Sequence, residues 1–204
     1  MGKNDEIIKL LNRNVWGTNV LLIPAVIYVI MIINDINYWK TSDTEVYYKV
    51  AWYILLVILL LVIMFSTIWH VFMFDAEKSY PLMKKIGAID HKIMAPLFSA
   101  FVIPILNVVY IWFMYTNTSS EPCTKSADLL YVGALIFQLV GIISYVLKHY
   151  VYYPSYNRRG FYKKIQWAYS HTFFHYVSYT GVSMLLAAYY INNKNVYDVL
   201  INNN

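Results

Sequence analysis

The chain has 204 residues, 59% of them hydrophobic and only 13% charged, with a mean hydropathy of +0.46. A soluble domain carries about 25% charged residues, so this apolar content excludes an ordinary soluble core, and the length suits one compact unit, residues 1–204. The formal charge of +5 does not point to nucleic acid: Lys and Arg sit in short segments beside apolar runs, with neither zinc-finger spacing nor a basic array interleaved with stacking aromatics.

Residues 1–15 contain NDEIIKLLNR, with Ile7, Ile8 and Leu11 apolar. This is a short interfacial helix or a frayed start. Five long apolar runs follow: Gly17 to Ile33, Val50 to Phe74, Ile93 to Tyr115, Leu129 to Leu147, and about Trp167 to Tyr190. A spanning helix needs roughly 20 apolar residues, and each run is far longer than a buried strand. Because the first run is followed by others, it is expected to be retained as a span, not removed as a leader. Residues 191–204 are expected to form a polar tail. Cys123 is alone, which excludes an internal disulfide.

The connections set the orientation. With the N-terminus inside, the inside segments hold Lys3, Lys9, Arg13, Lys78, Lys84, Lys85, Lys92, Lys148, Arg158, Arg159, Lys163 and Lys164. The other side holds Lys40, Lys49, Lys125 and Lys194. That asymmetry over short loops predicts an all-α, five-span membrane bundle, N-in and C-out. Asn117-Thr118-Ser119 is a formal glycosylation acceptor in an outside loop. Pro24 and Pro104 lie inside spans, where each removes a backbone hydrogen bond and kinks its helix. A cavity between bent helices is expected there.

Parity then gathers distant residues. Span two ends inside, span three begins inside, and span five begins inside after two crossings. His70, Asp90, His171 and His175 are thereby placed at one membrane face, where ionisable groups are costly unless they bind or catalyse something. His171 and His175, in SHTFFH, are four apart and share a helix face. Ser66 and His70, in STIWH, repeat that spacing on span two.

Three neutral imidazoles plus water are a catalytic zinc arrangement. Imidazole suits zinc and no cysteine cluster competes, although other transition metals also accept imidazole. Heme ligation and purely hydrogen-bonded histidines are the alternatives. Asp90 is a candidate base, a candidate ligand, or a cap at the start of span three. Ser66 is a partner for Asp90, water or a substrate carbonyl, or bonds its own helix backbone; no local serine-protease constellation makes it a nucleophile. His91 points along a different azimuth from Asp90. His149, beside Lys148 and several tyrosines, belongs to the membrane interface.

STIWH with Ser66 and His70, GAIDHK with Asp90, and SHTFFH with His171 and His175 together resemble the progestin and adipoQ receptor/haemolysin III family. They also resemble its wider superfamily, which includes the alkaline ceramidases. The resemblance covers spans two to five and rests on these short anchors. It implies that His70, His171 and His175 hold zinc and that Asp90 and Ser66 surround the reactive centre. Members usually have seven spans. This chain has five and lacks a helix pair between the Asp90 segment and the HxxxH segment, which preserves parity but removes much of the lipid cavity. The expected function is a metal-dependent hydrolase of a lipid amide or ester, with a membrane lipid or lipid-derived molecule as substrate. A signalling receptor with structural zinc and a heme-binding membrane subunit are the competing classes.

Overall fold

The computed structural model describes residues 17–38, 43–76, 85–86, 88–117, 125–147 and 161–202. Among them every element is helical. The expected interfacial helix at 1–15, His149, the side chain of His91, and Thr118 and Ser119 of the glycosylation motif lie outside the described residues.

Five long helices follow in chain order. A 3-10 turn, Asn19–Leu22, runs into α1, Ile23–Tyr38. Helix α2 is Asp43–Ala76. Two π-helical turns, Asp90–Met94 and Leu97–Val102, lead into α3, Ile103–Asn117. Helix α4 is Lys125–Val146 and α5 is Phe161–Asn202. The irregular turns sit where proline interrupts the ladder. A 3-10 turn precedes Pro24, and a π turn separates Pro96 from Pro104. Proline has no N–H to complete an i−4 bond, and a changed repeat absorbs the defect. The Ser99 hydroxyl donates to the Ala95 carbonyl at 2.7 Å, a local side-chain bond within the same stretch.

Side-chain pairs fix the directions of the helices. Trp52 meets Tyr189 and His70 meets His171, so α2 runs antiparallel to α5. Both pairs are separated by 18 residues on each helix, a length of about 27 Å, close to the roughly 30 Å hydrocarbon core. Leu21 pairs with Ser183 and Tyr28 with Tyr190, so α1 runs parallel to α5. Phe98 pairs with Tyr179 and Tyr110 with Tyr189, which makes α3 parallel as well. Tyr145 meets Phe174 while Gly133 faces Met184, so α4 is antiparallel. Successive helices alternate in direction, as the parity reading requires.

Helix α5 is the hub. It packs most extensively on α4 and also contacts α1 and α3. Val182, Leu185, Leu186 and Ala188 of α5 join Leu22, Val29, Ile32 and Leu59 in the buried core. Three helices are long and apolar enough to cross a membrane, at Lys49–His70, Lys92–Trp112 and Ser126–Val146, and Asn19–Asp35 is a shorter apolar helix. Their outer faces expose Val57, Phe101, Val108, Leu129 and Ile142. Helix α5 is not among these apolar segments. It carries buried His171, His175, Ser178 and Asn192, and on its other side it exposes Tyr169, Phe173 and Tyr176. The helix also continues through 191–202, where a tail was expected. Asn192 is buried and donates to the Tyr110 hydroxyl at 2.8 Å.

The α4–α5 seam depends on small residues. A Cβ at Gly181 would stand 3.2 Å from the Ala134 carbonyl oxygen and 3.2 Å from Phe137 Cβ. A backbone carbonyl cannot swing aside. Gly181→Leu is therefore expected to spread the two helices at a cost of about 1–3 kcal/mol, read as a lower thermal midpoint of the detergent-purified chain. An unchanged midpoint would mean that the seam is loose.

Candidate metal centre

Helix α2 delivers His70 and α5 delivers His171 and His175 to one point. All three are buried, His70 and His171 at 0% exposure and His175 at 7%. Their ligating nitrogens lie within 4.8 Å of one another. The i, i+4 spacing stacks the His171 and His175 rings with centroids 4.9 Å apart, and their Nε2 atoms stand 2.9 Å apart. His70 meets both rings edge-on, at 4.8 and 5.3 Å. Two Nε2 atoms at 2.9 Å cannot both point protons at each other: they share one proton, or both bare lone pairs face a cation.

The donor set fits a metal. A tetrahedral zinc with bonds of about 2.1 Å spaces its nitrogen ligands by about 3.4 Å. The Nε2 atoms of His171 and His175 stand closer than that, at 2.9 Å, and the three donors all lie within 4.8 Å of one another. The three histidines could thus hold a metal ion, as expected from their spacing and parity.

Asp90 begins the first π turn and is 5% exposed. It lines a cavity of about 30 Å³ together with His171, His175, Phe98 and Tyr179. That volume is about one water molecule's share of the liquid. π turns are rare and concentrate at functional sites, and this one starts at a carboxylate that would otherwise be costly to bury. Asp90 is thus brought to the histidines, as expected.

Ser66 is also buried, one turn before His70. Its hydroxyl donates to Asn19 Oδ1 at 3.3 Å, and Asn19 Nδ2 donates to Thr67 Oγ1 at 2.8 Å. The 3-10 turn of α1 is thereby tied to α2 beside the site. Tyr179 completes the surroundings. It lines the same cavity as Asp90, and its ring meets His175 at 5.0 Å.

Asn19 and Tyr179 were not among the expected site residues. Both left a signal in the sequence. Tyr179 follows His175 by four residues, as His175 follows His171, which places all three on one helix face. Asn19 is a polar residue at the head of an apolar run, a position that costs free energy unless its amide is bonded.

Compared with known proteins, the chain matches no family model, no curated protein and no solved structure.

Proposed function

We propose that the chain is a zinc-dependent membrane hydrolase of a lipid amide or ester, ceramide-like amides among them. The observation that carries this reading is the meeting of His70, His171 and His175, the last two of which line a water-sized cavity with the Asp90 carboxylate. His70, His171 and His175 would hold the ion through ring nitrogens, and the ion would supply Lewis acidity toward water and a scissile carbonyl. Asp90 would serve as the general base and then return the proton to the leaving group. The Tyr179 hydroxyl would orient the carbonyl oxygen, while Ser66, donating to Asn19, braces α2 against the turn before α1. The surrounding helices keep bulk water away from the reacting atoms.

The small cavity favours this reading over its two competitors. In a structural site, as in a receptor-like signalling protein, a fourth protein ligand would close the coordination shell; here space adjoins His171 and His175. A space of about 30 Å³ is also far below the size of a heme. The direct test supplies ceramide and a diacyl ester lipid in vesicles holding the purified chain. Fatty acid release is expected from at least one lipid, to stop with a zinc chelator and to return with added zinc. Release that ignores the chelator would contradict the reading.

The same proposal places five spans in the membrane, N-in and C-out. The alternating helix directions and the Lys and Arg asymmetry support it. Single cysteines introduced as Lys3→Cys or Asn203→Cys, in a Cys123→Ser background, provide the measurement. An impermeant thiol reagent is expected to label Asn203→Cys in intact cells and Lys3→Cys only after permeabilisation. Labelling of both from one side would contradict the topology.

A further inference from the structure

Among the described residues, the backbone of α3 packs against α5 and against neither α2 nor α4. A groove of about 280 Å³ lies on each side of it. Val102, Ile105, Leu106 and Val109 line the groove toward α2, and Ser99, Ile103, Pro104 and Asn107 line the groove toward α4. The α4-side groove meets the outer surface at Ala100, Pro104 and Ile142, all exposed. Ser99, Ile103, Phe174 and Ser178 line both this groove and the cavity beside His171 and His175, so the two spaces share a wall. Half of that wall, Ser99 and Ile103, travels with α3.

The two ends of α3 differ. Far from the histidines, Tyr110 is 1% exposed, stacks on Tyr131 with centroids 4.3 Å apart, and accepts a hydrogen bond from Asn192 Nδ2 at 2.8 Å. Toward the histidines the chain passes through two π turns, Asp90–Met94 and Leu97–Val102, with Pro96 between them and Pro104 just beyond. Prolines and π turns are where helices bend. Between these ends, Asn107 Nδ2 donates to Gln138 Oε1 at 2.8 Å and so joins α3 to α4 across the groove. This latch is weak. Asn107 Oδ1 and Gln138 Nε2 stay buried with no hydrogen-bond partner among the described residues, and two unmet polar groups offset what the bond contributes.

The cavity holds about 30 Å³, one water molecule's share of the liquid, and a carbonyl with its flanking carbons does not fit beside that water. We propose that residues 97–107 form a side gate to this cavity. The segment bends at its π turn, pivots near Tyr110 and moves into the α2-side groove. That motion breaks the Asn107–Gln138 bond and carries Ser99 and Ile103 off the shared wall. The cavity then joins the α4-side groove, and through it the bilayer. The gate's purpose, to admit a membrane molecule sideways as lids and loops do elsewhere, rests on the proposed function; the motion itself does not require a metal.

The test uses the full-length chain in detergent, with Val62→Cys in a Cys123→Ser background as the parent. Val62 is 4% exposed and lines the cavity but neither groove. It precedes His70 by two turns of α2, about 12 Å, so the new thiol is not placed to join the histidines. N-ethylmaleimide is larger than the closed cavity, and its rate of reaction reads the opening. Gln138→Leu removes the latch while Asn107 keeps its bond to the Ile103 carbonyl; it is expected to react about fivefold faster than the parent, the scale of one hydrogen bond. Ala51→Trp, which fills the α2-side groove, is expected to slow the reaction by a similar factor. Ala51→Trp combined with Gln138→Leu is expected to react more slowly than Gln138→Leu alone, which an unfolded chain would not do. Val57→Trp, exposed on α2 and outside all three spaces, is expected to leave the rate unchanged. The same order of rates is expected with a zinc chelator present, so loss of the metal reading leaves this one standing. No reaction in any variant, a Gln138→Leu rate no higher than the parent's, or an Ala51→Trp rate equal to the parent's would overturn the proposal.

Discussion

Asp90→Asn is expected to keep its metal and to lose lipid hydrolysis by about a hundredfold or more, the contribution of a positioned general base. The substitution is close to isosteric, so the π turn at Asp90–Met94 and the cavity wall are retained. What changes is proton affinity: a carboxylate takes a proton from water and an amide does not. The three imidazoles come from other helices, which is why metal content is expected to stay the same. Turnover of the hydrolysed lipid is measured beside metal content in the same preparation. Undiminished turnover would remove Asp90 as the base while leaving the metal site intact. Loss of both would instead make Asp90 a ligand.

The second large effect is on stability. His70 and the His171/His175 pair stand on different helices whose backbones are not in close contact, so an ion held by all three ties α2 to α5. A ligand that binds only the folded chain stabilises it by RT ln(1 + [L]/Kd), about 4 kcal/mol at a thousandfold excess over Kd. A zinc chelator is therefore expected to lower the thermal midpoint of the unaltered chain by several degrees or more. The His171→Ala/His175→Ala variant is expected to start lower and to show no further change with chelator. A variant that still responds to chelator would place the metal elsewhere.

Much of the fold was legible because membrane helices obey few rules. Runs of about 20 apolar residues have no alternative to a helix in lipid. The five helices, three of them long and apolar enough to cross a membrane, alternate in direction, and that alternation brings His70, Asp90 and His175 together without any knowledge of packing. The i, i+4 spacing of His171 and His175 supplied the shared face. What sequence could not supply was rotation about the helix axes. The π turns before α3 change which side chains face inward, and nothing in the period of the apolar residues announces them. Helix rotation also decides that Asn107 meets Gln138, 31 positions away, and that Asn19 meets Ser66 and Thr67. The extent of α5 was hidden for a different reason. Residues 191–202 are polar, and polarity alone does not show that a helix continues through them, as it does here.

The central claim is that His70, His171 and His175 hold one zinc ion per chain. Metal analysis of the detergent-purified, full-length chain tests it most directly, with the His70→Ala and His171→Ala/His175→Ala variants measured alongside. The account predicts close to one equivalent of zinc in the unaltered chain, a reduced amount in His70→Ala, and almost none in the double variant. Full zinc retention in the double variant, or no stoichiometric zinc in the unaltered chain, would contradict it.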